Sequence, residues 1–132
     1  MSGTGTPDDP WVLTTPLGKS EFTMHIDEDK GVLHCQVGKT WLHYTLSALE
    51  DLHAMLVAHG DWMELGNKDE KAEPKPNTVE AWGRSPDNPV GGWYGLRKGY
   101  RGRFASYVTA ILAEQGKVEF EKQGRGTWVR AV

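Results

Sequence analysis

The stretch FTMHIDEDKGVLHCQVGKTWLHYTL, residues 22–46, decides the fold. Apolar and polar side chains alternate along three runs in it, and a β-strand sends alternate side chains to opposite faces. The runs are separated by DEDKG (27–31) and by Gly38-Lys39, a glycine-first pair that suits a type II′ hairpin turn. The stretch therefore predicts three antiparallel strands with one buried face. The apolar residues on that face are Phe22, Met24, Ile26, Leu33, Cys35, Val37, Leu42, Tyr44 and Leu46.

Three segments outside the meander complete the domain organisation. Residues 1–10 are small, polar and proline-containing, and this composition predicts a flexible tail. Trp11-Val12-Leu13 predicts a first short strand, which makes a three- to four-stranded meander. GNKDEKAEPKPNT (66–78) is charged, has two prolines and predicts an exposed flexible loop. We expect residues 11–132 to form a single domain.

Two helices and a hairpin follow the meander. Ser47-Ala48-Leu49-Glu50 matches a capping box and predicts a helix over about 47–59. The spacing of apolar residues in RFASYVTAILAEQ predicts a second helix over about 103–115. Residues 117–122 and 127–132 then predict a C-terminal β-hairpin. The order of elements predicts an α+β fold.

Composition limits the class of protein. The chain has 132 residues and one cysteine, so no internal disulfide is possible. The N-terminus does not resemble a secretory signal, and no run approaches the length of a membrane helix. We therefore expect a soluble, cytoplasmic protein that does not bind membranes. Residues 1–80 carry 6 Lys/Arg and 14 Asp/Glu (net −8), and residues 81–132 carry 9 and 4 (net +5). We favour mutual attraction of the two halves over a basic surface for an anionic partner.

The segment WGRSPDNPVGGWYGLRKGYRGR, residues 82–103, is the candidate functional site. It contains six glycines, two tryptophans, two tyrosines and five cations. Glycine permits close backbone approach, aromatic rings stack on planar groups, and arginine binds carboxylate or phosphate. The alternative is a glycine loop held in place by aromatic side chains. The predicted ligand-binding residues are Trp82, Arg84, Asp87, Asn88, Trp93, Tyr94, Arg97 and Arg101.

Three histidines form a second pattern. The turn at Gly38-Lys39 pairs His34 with His43, and a turn over 27–31 pairs His25 with His34. The three side chains would then form a row on the outer face, close enough to share a metal. We favour three solvated polar residues, because no carboxylate or cysteine ligand joins them at a motif spacing. The sequence thus predicts no metal and no cofactor.

Three strings carry a resemblance to a known family: WGRSPDNPVGGWYGLRKG, LEDLHAMLVAHGDWMELG and CQVGKT. With them the chain resembles an uncharacterised family of small bacterial proteins, a domain of unknown function, over nearly all of residues 10–132. The resemblance implies a bacterial, cytoplasmic protein. It implies no catalytic residues, because the family has no assigned activity.

Three function classes remain open at this point. We favour a non-catalytic binding module that uses residues 82–103 for a small anionic ligand or a protein partner. The first alternative is nucleic-acid binding by a winged-helix-like C-terminal half, with Arg125 at the hairpin tip. The second is an enzyme of unassigned reaction, in which Asp87, Arg84, His59 and Asp61 would meet in a cleft. The sequence leaves the oligomeric state open.

Overall fold

The computed structural model describes residues 3–18 and 20–132. This part of the chain contains seven β-strands and three α-helices, which confirms the α+β fold class. The strands are β1 (Trp11–Thr14), β2 (Glu21–Asp27), β3 (Val32–Val37), β4 (Thr40–Thr45), β5 (Met63–Glu64), β6 (Val118–Gln123) and β7 (Gly126–Ala131). The helices are α1 (Ala48–His59), α2 (Val79–Trp82) and α3 (Phe104–Glu114).

The first four strands form one antiparallel sheet in the order β1-β2-β3-β4, which confirms the predicted meander. Val37 pairs with Thr40 across the turn, and Gly38 in the turn has φ +60°. The predicted apolar face lies inward, with Met24, Leu33 and Tyr44 all fully buried. The short turn and the alternation together fix both the register and the buried face.

The last two strands form the predicted C-terminal hairpin, and a third strand joins it. The second sheet has the order β5-β7-β6, with Met63 of β5 opposite Val129 of β7. The sequence analysis did not predict β5, because two residues show no alternation. Their placement depends on β7, which lies more than 60 residues further along the chain.

The C-terminal end of α1 agrees with the prediction, whereas its N-terminal cap does not, and one further helix was not predicted. Gly60 ends α1 with φ +72°, and its N–H donates to the Leu56 carbonyl, as a C-terminal glycine commonly does. The predicted capping box is wrong, because the Ser47 side chain makes no capping hydrogen bond and its backbone is already helical. The four-residue α2 was not predicted, and the Thr78 hydroxyl caps it by accepting from Ala81 N–H.

Helices α1 and α3 pack together, and α3 also contacts β1 and β6. Nine consecutive residues of α3, 104–112, are therefore buried. In the described part of the chain, no helix is long and apolar enough to cross a membrane.

The N-terminal residues also have defined partners. The N–H groups of Thr4 and Gly5 donate to the Asp9 carbonyl, and Ile26 N–H of β2 donates to the Gly5 carbonyl. A Cβ atom at Gly5 would lie 2.6 Å from the Trp11 ring, so the glycine permits this close approach. These contacts oppose the flexibility that composition predicts for residues 1–10. That flexibility stays a prediction.

Candidate functional site

Segment 82–103 is organised around Asn88, whose side chain is used entirely within the segment. Its amide nitrogen donates to the carbonyls of Trp82 (2.7 Å) and Gly92 (2.8 Å). Its oxygen accepts from the N–H groups of Val90 (3.1 Å) and Gly92 (3.2 Å). Asn88 is buried, so these bonds replace water. The Asn88 side chain therefore stabilises the turn through hydrogen bonds to its backbone.

The aromatic residues Trp82 and Tyr94 form a stack with Phe104, the first residue of α3. The ring centroids of Trp82 and Tyr94 lie 5.3 Å apart, and those of Tyr94 and Phe104 lie 5.2 Å apart. The Tyr94 hydroxyl donates to Asp51 Oδ2 in α1 at 2.9 Å. Burial and this hydrogen bond raise the pKa of Tyr94. The stack joins the segment to both long helices.

Arg84 holds the loop of residues 66–78. Its guanidinium donates to the carbonyls of Lys68 (2.9 Å), Asp69 (2.8 Å) and Ala72 (2.9 Å). It also donates to the Glu80 carboxylate at 3.0 Å, and its side chain is only 10% exposed. The loop of residues 66–78, which composition predicts to be flexible, is thus held by several hydrogen bonds. Its flexibility stays a prediction.

Glu80 connects this arginine to α3. The Glu80 side chain is fully buried, and its Oε1 accepts from Ala105 N–H at 3.0 Å. A carboxylate at this position complements the partial positive charge of the helix N-terminus. Burial raises the pKa of Glu80, and the bonds from Ala105 and Arg84 act in the opposite direction.

Arg101 and Trp93 form the outer layer of the segment. Arg101 Nε donates to Glu70 Oε1, and Gly99 N–H donates to Glu70 Oε2 at 2.9 Å. The bond from Arg101 is the main reason why the pKa of Glu70 is lowered. The Trp93 ring contacts two guanidinium groups, with Arg84 at 4.7 Å and Arg101 at 4.3 Å from the centroid.

Of the two remaining predicted residues, Arg97 contacts the meander and Asp87 lies in the exposed turn that begins at Ser85. Arg97 donates to the Trp41 carbonyl at 2.8 Å and covers the Tyr100 ring at 4.0 Å from the centroid. Asp87 is exposed, and its N–H donates to Ser85 Oγ. Most polar groups of the eight predicted residues are thus bonded within the protein. The structure does not bring the eight together around one cavity, and their role in ligand binding stays a prediction.

A cavity of about 500 Å³ lies beside this segment, between the start of β2, the start of α3 and the β6–β7 hairpin. Among the described residues, four cations line it, Lys68, Lys75, Arg103 and Arg125, together with two acids, Glu21 and Glu64. Lys75 Nζ lies 3.9 Å from Glu64 Oε2. The side chains of the other three cations have no hydrogen bond or ion pair with any residue that the structure describes.

Arg103 has an unusual backbone at this cavity. Its φ is +58° and its ψ is +19°, the left-handed region that costs a non-glycine residue about 1 kcal/mol. Arg103 N–H donates to the Lys68 carbonyl at 2.7 Å. A Cβ atom at the preceding Gly102 would lie 2.3 Å from Glu70 N, so the two backbones touch here. Strained residues of this kind concentrate at functional sites.

Asn67 and Tyr107 are among the uncharged polar residues that line the cavity. Asn67 Oδ1 is buried and has no hydrogen-bond partner among the described residues, which is costly for an acceptor. The Tyr107 hydroxyl is protonated at neutral pH, and burial raises its pKa further. The Phe22 ring holds the Tyr107 ring edge-on at 4.9 Å.

Arg125 was predicted to contact nucleic acid only under the winged-helix-like alternative, and Arg103 was not selected as a ligand-binding residue. Lys68, Asn67 and Tyr107 were not predicted as site residues. The available signal was a cation next to glycine, in Gly102-Arg103 and Gly124-Arg125-Gly126. That signal does not show that the two arginines, 22 positions apart, converge.

The histidine row is present on the outer face of the meander. His25 pairs with His34, and His34 pairs with His43, as the two turns predict. The Nδ1 atoms of His34 and His43 are 2.7 Å apart, a hydrogen-bonding distance. Burial is the main cause that lowers the pKa of both residues. No group of three or more possible metal ligands is close enough to hold an ion within residues 3–18 and 20–132.

Two observations weigh against the alternative functions, which stay predictions. A recognition helix must present an exposed face to a DNA groove, but residues 104–112 of α3 are all buried. Of the four residues suggested for an enzyme, Arg84 faces the 66–78 loop and His59 bonds to the Trp62 carbonyl. No hydrogen bond or ion pair joins any two of those four, all of which the structure describes.

Comparison with known proteins gives a family and no activity. A family model described as "Family of unknown function (DUF6855)" matches residues 3–132. A search of the curated proteins and a search of the solved structures each found no match.

Proposed function

The chain belongs to that family of unknown function, and we propose from its own geometry that it is a non-catalytic binding module for a small anionic ligand. The ligand lies in the cavity lined by Lys68, Arg103 and Arg125. One observation carries the proposal: Lys68, Arg103 and Arg125 line one cavity and have no side-chain hydrogen bond or ion pair among the described residues, although Glu21 and Glu64 line the same cavity.

Other arginines of the chain show what a purely structural role looks like. Arg84, Arg101 and Arg130 each bond to a carboxylate, namely those of Glu80, Glu70 and Glu119. Such pairing is how a folded chain normally accommodates cations that converge. Cations that share a cavity and form no ion pair repel one another, and a bound anion removes this repulsion.

The difference between paired and unpaired arginines also determines where we place the ligand. Residues 82–101 stay a predicted binding surface, but their guanidinium groups already have partners. Arg103 is the next cation along the chain and its side chain faces the cavity. We propose the cavity as the binding site because its donors are free. A cytoplasmic location also stays a prediction.

The test is calorimetric titration of the protein with inorganic pyrophosphate and with succinate. We expect binding by the wild type, and about tenfold weaker binding by Arg103→Gln and by Arg125→Gln, since a hydrogen bond to a charged group contributes about 1.5–3 kcal/mol. Lys98→Gln is the matched control, because it removes one exposed positive charge outside the cavity.

Circular dichroism and a thermal melt establish that each variant is folded. The proposal is wrong if neither anion binds at millimolar concentration. It is also wrong if Lys98→Gln weakens binding as much as Arg103→Gln does, because the attraction would then be non-specific.

A further inference from the structure

We infer that the ligand is a phosphorylated anion that carries a planar ring, of the chemical class of the nucleoside monophosphates. This inference rests on the proposed function, because the anionic part occupies the cation-lined cavity. The ring occupies a second, smaller cavity that adjoins the first.

The second cavity has a volume of about 220 Å³ and shares three lining residues with the first. These residues are Val37, Arg103 and Tyr107. Since the same side chains line both spaces, one ligand can pass across them. Arg103 then lies at the junction, where the charged part of the ligand meets the uncharged part.

The walls of the second cavity suit a ring. Leu42, Val37 and Tyr100 supply apolar surface, and no cation lines it apart from Arg103. The Tyr100 side chain is 43% exposed although Arg97 covers the ring on one side. An aromatic ring that is left open in this way is a stacking surface for another planar group.

The rim of the second cavity offers both donors and acceptors, because Thr40, Tyr100, Tyr107 and Arg103 line it together with Asp69 and Glu70. Asp69 Oδ1 accepts from the N–H groups of Lys71 and Ala72, at 3.1 Å each. Asp69 Oδ2 has no hydrogen-bond partner among the described residues. Glu70, the other acid, is already bonded to Arg101 and Gly99. A ring that carries an N–H₂ group matches this rim better than a hydrocarbon tail does.

Asn67 lines the first cavity beside the cations. An amide side chain both donates and accepts, so it can bond to a hydroxyl that lies between the ring and the phosphate of a ligand. Phosphate for the cations, a hydroxyl for Asn67 and an aminated ring beside Tyr100 are the three parts of a nucleoside monophosphate. Inorganic phosphate fills only the first of these places.

The experiment compares AMP, GMP, CMP and UMP with adenosine and with inorganic phosphate, by calorimetry on the full chain. We expect at least one nucleotide to bind about tenfold more tightly than phosphate or adenosine does, since stacking on an aromatic ring contributes about this factor. Tyr100→Ala should remove the gain and leave the affinity for phosphate within about twofold. Trp41→Ala, which removes a partly exposed aromatic side chain from the outer face, is the matched control.

The other outcomes of this experiment contradict the ring inference alone or both proposals. If phosphate or pyrophosphate binds but no nucleotide binds more tightly, the ring inference is wrong and the anion-binding function stands. The inference is equally wrong if Tyr100→Ala weakens phosphate and nucleotide alike. If no nucleotide and no inorganic anion binds, both proposals are wrong.

Discussion

At the scale of single residues, Glu80 and Arg84 are the most consequential pair in the protein. Glu80 is fully buried and bonds at once to the start of α3 and to Arg84. Arg84 in turn holds the backbone of the 66–78 loop. A buried pair does not by itself stabilise a fold relative to apolar side chains. Removal of one partner, however, leaves a charge and several polar groups unsatisfied.

We therefore expect Glu80→Gln to lower the free energy of unfolding by about 3 kcal/mol. The variant keeps the shape of the side chain and removes the charge that Arg84 and the N-terminus of α3 require. Urea denaturation measures the difference. Glu119→Gln is the matched control, because the Glu119–Arg130 pair is 43% and 47% exposed, and its loss should cost less than about 1 kcal/mol. Equal losses in both variants would contradict the role given to Glu80.

At the scale of elements, the meander and α3 differ in how much tertiary packing adds to the local sequence pattern. The alternation of apolar and polar side chains, together with the turns, accounts for the strands and the register of the meander. The apolar residues Phe104, Tyr107, Val108, Ile111 and Leu112, whose spacing predicts α3, are buried, and so are Ala105, Ser106, Thr109 and Ala110 between them. Periodicity in α3 predicted one buried face, whereas packing against other elements on several sides buries almost the whole helix. Residues 104–112 therefore present no exposed face of the kind that a recognition helix uses.

The histidine row makes the meander sensitive to pH. Burial, and for His34 also the charge of His25, lower the folded pKa of His34 and His43 below the usual 6.5. The unfolded chain then takes up protons at a higher pH than the folded chain does. Stability contributed by these residues is present above pH 6.5 and is lost as the pH falls towards the folded pKa values. Asp27 opposes the shift of His34, and Arg97 adds to that of His43.

Urea denaturation from pH 8 down to about pH 5 measures this effect. We expect the double variant His34→Gln/His43→Gln to show a flatter decline of stability than the wild type. His53→Gln, in α1, is the control and should keep the wild-type slope. A wild-type slope in the double variant would show that other groups cause the decline.

At the scale of the whole molecule, the charge difference between the two halves of the chain is largely used within the fold. Arg84 and Arg101 of the basic half bond to Glu80 and Glu70 of the acidic half. These bonds close the 66–78 loop over segment 82–103, and the same closure forms one wall of each cavity. The loop, the segment and the proposed site are therefore coupled.

Arg84→Met should open this closure without disturbing the meander. We expect faster amide hydrogen exchange in peptides that cover residues 66–78, because the loop carbonyls lose their donor. Peptides that cover β2 and β3 should exchange as they do in the wild type. Mass spectrometry of exchanged peptides checks both expectations, with Arg130→Met as the control. An equal rise throughout the chain, or no rise in the loop, would contradict a local closure.

The sequence by itself determined the meander, its register, the two long helices and the C-terminal hairpin. Each depends on neighbours in the chain: alternation selects the buried face, a two-residue turn selects the pairing, and apolar spacing selects a helix. The row of His25, His34 and His43 followed from such local rules and is confirmed. The sequence also indicated a family of unknown function, which is confirmed, whereas the bacterial origin stays a prediction.

Only the tertiary structure decided which charged residues are occupied and which are free. Arg84 and Arg101 were predicted to bind a ligand, yet they are bonded to Glu80 and Glu70, the latter 31 positions from Arg101. Lys68, Arg103 and Arg125 come from separate parts of the chain and share one cavity. An arginine has the same appearance in a sequence whether its partner is a carboxylate or a ligand. Long-range packing makes the distinction, because it decides which acid lies within reach of each cation.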